Sequence, residues 1–84
     1  MSDHRKKDFT FARRLEQIMH ERNLYPAQIA KMTGIRRQKI DEYAKGTHQP
    51  SWYTVKLIAV GLNVSADFLL GIEKSVPPLG QEKE

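Results

Sequence analysis

The sequence predicts an all-α fold, a compact bundle of five short helices, and three observations support this prediction. Apolar residues recur at helical spacing in five separate stretches, and no stretch alternates apolar with polar residues as a half-buried strand would. Residues that break or end helices, mainly Gly, Asn, Pro and Ser, lie between these stretches. The chain has 84 residues, of which 39% are hydrophobic and 29% charged, a composition typical of one small globular domain.

The first two predicted helices are separated by a break at Asn23, a residue that tolerates the left-handed backbone of a helix end. Asp8 and Thr10 are the alternative caps at the start of the first helix. The second helix is predicted over Pro26–Thr33, because proline fits the first turn of a helix, where its missing N–H is not needed. The residues expected to face the core from these helices are Phe11, Leu15, Ile18, Met19, Ile29 and Ala30.

The third predicted helix runs from about Arg36 to Lys45 and is flanked by glycines, which permit a positive φ at both turns. A loop over Thr47–Ser51 follows, since its residues favour turns. A fourth helix is predicted over Trp52–Leu62 and a short fifth helix over Ala66–Leu70. The residues expected to face inward from the third and fourth helices are Ile40, Tyr43, Trp52, Val55, Ile58, Ala59 and Leu62.

The two ends of the chain differ in composition from the part between them. Residues 1–8 are polar and carry a run of basic side chains, so we expect a flexible basic arm. Residues 73–84 contain two consecutive prolines and three glutamates, which predicts a disordered tail. Residues 9–72 are therefore the predicted folded domain.

Composition excludes several classes of protein. The chain has no cysteine, which excludes disulfides, thiolate zinc sites and cysteine catalysis and fits a reducing, cytoplasmic compartment. The three histidines lack metal-ligand spacing, and the sequence has no glycine-rich phosphate loop, nucleophile–base pair or acidic dyad. We therefore expect no metal, no cofactor and no enzyme activity. The longest apolar run, Leu57–Leu62, is far shorter than the roughly 20 residues that span a bilayer, so we expect no membrane partner.

Basic residues are concentrated in the first part of the chain. Residues 1–50 hold 11 Lys and Arg against 6 Asp and Glu, whereas residues 51–84 hold 3 against 4. A basic half suits contact with phosphate backbones, although a solvated basic face without a partner explains the charge equally well.

The stretch from Gln28 to Gly46 places two short helices around a turn at Gly34, a spacing typical of a helix-turn-helix, whose second helix enters the DNA major groove. This second helix begins with three cations and a glutamine. Positive charge at a helix N-terminus opposes the macrodipole and costs about 0.3–1 kcal/mol per residue, so we expect a polyanion to bind there. Arginine can pair with guanine O6 and N7, and glutamine with adenine.

From Phe11 to Gly71 the chain resembles the lambda-repressor/Cro-type helix-turn-helix family, also called XRE-type regulators. The segments that carry this resemblance are Leu15, Ile18, Leu24, Gln28-Ile29-Ala30, Gly34-Ile35, Ile40, Lys45-Gly46, Pro50-Ser51, Ile58-Ala59, Leu62-Asn63-Val64-Ser65 and Asp67–Gly71. The resemblance implies a five-helix, lambda-repressor-like bundle that binds double-stranded operator DNA, usually as a dimer.

The resemblance also implies roles for individual residues. It places Arg37 and Gln38 at the main base-reading positions, with Arg36 and Glu42 close by; Glu42 either accepts from cytosine N4 or pairs with a neighbour such as Lys39. The basic arm either contacts DNA or is a solvated tail. The residues expected to contact phosphate are Ala27, Gln28, Lys39, Lys45, Thr47, His48, Gln49, Arg5, Lys6 and Lys7.

The chain departs from the family pattern in four places, which are Tyr25, Pro26, Arg36 and the pair of Met19 and Ala44. Tyr25 and Pro26 replace the usual Ser or Thr followed by Gln, which removes a capping hydroxyl and a glutamine that braces the DNA contact. Arg36 replaces the usual capping residue of the third helix. Met19 and Ala44 stand where the family often has an Arg–Glu pair, so an apolar contact is expected there.

A second apolar stripe on the fourth helix predicts self-association. Tyr53, Leu57 and Val60 share a face separate from the core face, and Phe68 and Ile72 are expected to extend it. Packing of this stripe against the first helix or the tail is the alternative. We therefore expect a sequence-specific transcriptional regulator, a homodimeric repressor on an inverted-repeat operator. The alternative function is a protein-interaction or antitoxin-like module that retains the helix-turn-helix fold and binds a protein partner.

Overall fold

The computed structural model describes residues 8–72, which form five α-helices and no strand. The helices are α1 (Thr10–Arg22), α2 (Pro26–Thr33), α3 (Arg37–Lys45), α4 (Trp52–Leu62) and α5 (Ala66–Leu70). The predicted all-α fold is confirmed. One boundary differs: α3 begins at Arg37, since Arg36 has the extended backbone of a residue that precedes a helix, with φ −59° and ψ 143°.

The predicted helix ends are confirmed by the backbone. Asn23 has φ 55° and ends α1, and Gly34 has φ 80° and ends α2. At the start of α1 the N-cap residue is Phe9, which makes no side-chain cap, so neither Asp8 nor Thr10 is the cap. Asp8 still contributes, because its carboxylate accepts the Thr10 backbone N–H at 2.9 Å. Asp8 is thereby fixed to the folded domain. Residues 1–7 and 73–84, the remainder of the predicted arm and the predicted tail, lie outside the described residues.

The core lies where the helices pack in the pairs α1–α3, α1–α5, α2–α3, α2–α4 and α4–α5. Every helix contributes to it, and α3 supplies Ile40, Tyr43 and Ala44. The Tyr43 and Phe11 rings pack perpendicular to each other with 6.4 Å between ring centroids, which joins α3 to α1. The fully buried side chains are Leu15, Ile29, Ile40, Ile58, Leu62 and Leu69.

Three positions predicted to face inward are not buried: Trp52, Ala30 and Met19, of which Met19 is half-buried and packs against the core. Trp52 is 78% exposed, because it is the first residue of α4 and lies at the margin of the face that buries Val55. Its ring packs edge to face on the neighbouring Tyr53 at a centroid distance of 5.7 Å. Ala30 is half-buried, so α2 is anchored chiefly by Ile29.

Two polar contacts hold α1 to the second half of the domain. Arg22 donates from its guanidinium to the backbone carbonyl of Leu62, an otherwise unpaired group near the C-terminal end of α4. The Arg14 guanidinium lies over the Phe68 ring at 4.4 Å from its centroid, a cation–π contact between α1 and α5. Among residues 8–72, no helix is long and apolar enough to cross a membrane.

Candidate nucleic-acid interface

The turn between α2 and α3 is fixed by hydrogen bonds of Thr33 and by the backbone of Gly34. The Thr33 hydroxyl donates to the Ile29 carbonyl at 2.8 Å and accepts the Ile35 N–H at 3.2 Å. Gly34 donates its N–H to the Ala30 carbonyl at 2.8 Å. These bonds set the direction in which α3 leaves α2, as a helix-turn-helix requires.

The outward side of α3 carries the cations predicted from the sequence. Because Ile40, Tyr43 and Ala44 are buried, the first turn presents its other side chains to solvent. The four exposed residues are Arg36, Arg37, Gln38 and Lys39. The first turn holds no acidic residue and Arg36 makes no side-chain cap, so the free N–H groups and the cations together favour an anion.

The acidic side chains of α3 pair with cations of the chain itself. The Glu42 Oε1 atom lies 3.8 Å from Lys39 Nζ and 3.4 Å from His48 Nδ1. Asp41 lies one turn from Lys45, with Oδ2 and Nζ 3.1 Å apart. Of the two roles considered for Glu42, pairing with Lys39 is therefore present in the free protein, joined by a contact with His48 that the sequence did not predict.

The N-terminus of α2 is capped in a way that compensates for the missing hydroxyl. The Gln28 side-chain oxygen accepts the Tyr25 N–H at 2.7 Å, and the Gln28 N–H donates to the Tyr25 carbonyl at 2.9 Å. This is one half of a capping box, with the glutamine in its usual place. Gln28 therefore has its side-chain amide N–H groups to offer a phosphate rather than its backbone N–H. Tyr25 itself is 70% exposed.

The loop after α3 is attached both to α3 and to the start of the described chain. Thr47 donates its N–H and its hydroxyl to the Glu42 carbonyl, at 3.1 and 3.3 Å. The Gln49 side chain donates to the Asp8 carbonyl at 2.9 Å. Two predicted phosphate contacts, Thr47 and Gln49, thus already use donors within the chain, whereas Lys45 and His48 are exposed. Arg5, Lys6 and Lys7 lie outside the described residues.

The same loop lies against Phe9 and Asp8. A Cβ atom at Gly46 would lie 2.6 Å from Phe9 Cδ1, so the absence of a side chain there lets the ring approach. Hydrogen bonds from the Thr10 side chain and backbone lower the pKa of Asp8, so this exposed carboxylate stays ionised to a lower pH than usual. The chain therefore enters the domain beside the loop that follows α3.

The predicted apolar stripe on α4 is only partly exposed. Tyr53 is 52% and Val60 72% exposed, while Leu57 is half-buried. Phe68 packs against the core, with Arg14 over its ring, so it offers less surface than the sequence suggested. Trp52 extends the exposed apolar face instead. The feature of the sequence that distinguishes Trp52 from the buried residues of α4 is its place at the very start of the helix.

The described residues contain little else that resembles a binding site. No group of three or more His, Cys, Asp or Glu between residues 8 and 72 is arranged to hold a metal ion. One open depression of about 370 Å³ lies where α1 meets α2. It is lined by Glu16, Met19, His20, Asn23, Leu24 and Tyr25.

Comparison with known proteins agrees with this geometry. The family model of the Cro/C1-type HTH DNA-binding domain matches residues 14–75, which include α2, the turn, α3, α4 and α5. Comparison with curated proteins and with solved structures gives no match. The matched family is one of DNA-binding regulators rather than of enzymes. With most of its length matched and the basic α3 face in place, the chain belongs to the Cro/C1-type helix-turn-helix DNA-binding domain family.

Proposed function

We propose that this protein is a sequence-specific repressor of transcription that acts in the cytoplasm as a homodimer on an inverted-repeat operator. One observation carries the proposal: the exposed first turn of α3 presents Arg36, Arg37, Gln38 and Lys39 on a helix whose opposite side is fixed in the core. A rigid helix with these side chains outward matches what major-groove readout requires.

Base readout is assigned to Arg37 and Gln38, with Arg36 beside them. Arg37 offers two parallel donors to guanine O6 and N7, and Gln38 offers a donor and an acceptor to adenine N7 and N6. Both side chains are exposed, and Arg37 forms no ion pair with another described residue. Glu42, the fourth member of the predicted base-reading set, lies one turn further along and is engaged by Lys39 and His48.

Phosphate contacts are assigned to groups on both sides of α3. Lys39, Lys45 and His48 are exposed cations or potential cations on the helix and its following loop. The Ala27 N–H at the first turn of α2 and the Gln28 side chain serve the phosphate on the other side. The remaining proposed contacts are Thr47, Gln49, Arg5, Lys6 and Lys7.

The second copy is proposed to bind at the apolar face of α4. Tyr53 and Val60 are exposed there, Leu57 lies between them, and Trp52 extends the face toward the loop that follows α3. Exposed aromatic residues are frequent anchors of protein interfaces. Phe68 lies at the margin of this proposed interface, under Arg14.

The test is selection of the purified protein on a random duplex library at physiological salt. Enrichment of an inverted repeat with half-site centres about one helical turn apart is expected, because two symmetry-related α3 helices then meet successive major grooves. The matched control is the R37A/Q38A double variant, which keeps the remaining cations and is expected to bind DNA without enriching a sequence. Enrichment of a single half-site would retain DNA reading and exclude the symmetric dimer.

A second candidate function is a protein-interaction module, and the exposed Trp52, Tyr53 and Val60 favour it. The two functions differ in their salt dependence. Affinity for a mixed-sequence duplex is expected to fall steeply with salt concentration if phosphates are bound, because counterions are released on binding. Absence of both enrichment and a salt-dependent affinity would favour the protein-interaction module.

A further inference from the structure

One carboxylate oxygen on the proposed DNA-binding face lacks a hydrogen-bond donor. The Glu42 Oε1 atom is shielded from solvent and accepts no hydrogen bond from any residue between 8 and 72. A shielded carboxylate oxygen without a donor is unfavourable, because it has lost water and gained no partner. A positive charge on the groups nearest to this oxygen is therefore favourable.

Two such groups face this oxygen, a lysine and a histidine. Lys39 Nζ lies at 3.8 Å, too far for a hydrogen bond, and lysine is ordinarily charged near neutral pH. His48 Nδ1 lies at 3.4 Å and comes from the loop rather than from α3. Histidine gains and loses its proton near pH 6.5, and in the imidazolium form both ring nitrogens are donors.

The other charged groups around His48 have partners of their own. Asp41 and Lys45 form an ion pair one turn further along α3. Asp8 is joined to the loop through Gln49, and the Thr10 hydrogen bonds lower the pKa of its carboxyl, so it remains ionised. Among the described residues of this cluster, His48 is the one histidine, the residue type that ordinarily gains a proton between pH 8 and 5.5.

The His48 side chain is also accessible to a phosphate of bound DNA. Its side chain is 56% exposed, in the loop that follows α3, while Nδ1 faces Glu42. If Nδ1–H donates to Glu42, the other ring nitrogen is left to face solvent, and it is a donor to a phosphate only when the ring is protonated. A carboxylate on one side and a phosphate on the other both favour the imidazolium.

We propose that Glu42 is a positioning residue that holds His48 as an imidazolium against the DNA backbone, so that DNA binding is coupled to protonation of His48. This inference rests on the proposed DNA-binding function. It removes Glu42 from the base-reading set and gives it an indirect role through His48. The affinity for DNA is then expected to rise as the pH falls from 8 to 6. The rise is at most about tenfold if the complex binds the proton about tenfold more tightly than the free protein does.

The experiment measures affinity for a mixed-sequence duplex at pH values from 5.5 to 8, at constant ionic strength. His4 is replaced by Gln in every protein, so that the arm adds no titrating group. The H4Q protein and the H4Q/H20Q control are expected to bind more tightly as the pH falls. The H4Q/H48Q protein is expected to lose this pH dependence, and its salt slope at pH 6 should be smaller by about one phosphate contact.

The E42Q substitution separates a positioning role from base reading. In the H4Q background, E42Q is expected to move the pH-dependent rise to lower pH and to leave the sequence enriched from a random library unchanged. A new base preference at one position would assign Glu42 to base reading instead. Thermal unfolding at each pH checks that every variant stays folded.

The outcomes distinguish this inference from the proposed function. If the H4Q protein binds DNA with no pH dependence, or if H4Q/H48Q retains it, the proton-linked contact is excluded while DNA binding stands. If neither the H4Q protein nor the unaltered chain binds any duplex across the pH range, the proposed function fails and this inference fails with it.

Discussion

Two glycines with nearly the same backbone conformation have different surroundings. Gly34 and Gly46 have φ of 80° and 84°, so both occupy the left-handed region that is unfavourable for residues with a Cβ atom. A Cβ at Gly34 would meet nothing within 4 Å, whereas one at Gly46 would meet the Phe9 ring. Gly34 is thus required by its backbone alone, and Gly46 by its backbone and by packing.

We expect Gly34→Ala to lower the free energy of unfolding by about 1–2 kcal/mol, the cost of a left-handed residue with a side chain. Gly46→Ala is expected to cost a further ~1–3 kcal/mol from overpacking against Phe9. Urea denaturation of both variants measures the difference. In the F9A background the two substitutions should cost the same, and an undiminished difference there would contradict the steric explanation.

The exposed cations of α3 differ in what they are expected to contact. Arg37→Ala is expected to weaken binding to the preferred duplex by about 1–3 kcal/mol and to relax the preference at one base position, because it removes a bidentate contact with a base. Lys39→Ala is the comparison, with a uniform loss on every sequence and a reduced salt slope. Binding to the preferred duplex and to its single-base variants distinguishes them. A uniform loss in Arg37→Ala would place this arginine on a phosphate.

The packing of α2 against α4 depends on a glycine inside a helix. Gly61 lies in the last turn of α4, where alanine is ordinarily favoured by about 1 kcal/mol. Here a Cβ would lie 2.7 Å from the Thr33 Cγ2 atom and 3.0 Å from the Met32 carbonyl oxygen, both in the last turn of α2. The last turn of α2 leads directly into the turn of the helix-turn-helix. This contact therefore helps to fix the direction of α3.

We therefore expect Gly61→Ala to destabilise the domain by about 1–2 kcal/mol, despite the higher helix propensity of alanine. Thermal unfolding measures the sign of the effect. In a T33S background, where the threonine methyl is absent and the hydroxyl is kept, the loss should shrink without vanishing, since the Met32 carbonyl remains. A stabilised Gly61→Ala protein would mean that α2 can move away at no cost.

At the scale of the whole fold, residues 8–72 present two surfaces of different chemistry. One is the basic surface of α3 and its following loop; the other is the apolar face of α4 with Trp52, Tyr53 and Val60 exposed. The basic surface suits a polyanion, and the apolar face suits a second protein surface. The proposed contacts with DNA and with a second copy therefore use different side chains.

Val60→Asp is expected to lower self-association, because it places a charge on the exposed apolar face without disturbing the core. Leu57→Asp is expected to act in the same direction, although Leu57 is half-buried and its folding must be checked. Met32→Asp is the matched control, an exposed apolar residue on α2 outside this face. Sedimentation velocity should show a shift toward the monomer for Val60→Asp and no shift for Met32→Asp. Unchanged sedimentation of Val60→Asp would exclude this face as the interface.

The sequence by itself determined the all-α class, five helix positions and the presence of a helix-turn-helix. Those features depend on local signals: helical spacing of residues such as Leu15 and Ile18, left-handed stops at Asn23 and Gly34, and Pro26 in a first turn. The cations of α3 were also predictable as exposed, since Ile40 and Tyr43 fix which side of that helix is buried.

Only the tertiary structure decided contacts between residues distant along the chain or at helix ends. Periodicity assigns Trp52 to the inward face, but whether a first-turn residue is covered depends on where the neighbouring helix ends. The exposure of Phe68 depends on Arg14 of α1, and the hydrogen bond between Gln49 and Asp8 joins segments far apart in sequence. The role of Glu42 follows the same rule, because the position of the loop that carries His48 is set by packing rather than by local pattern.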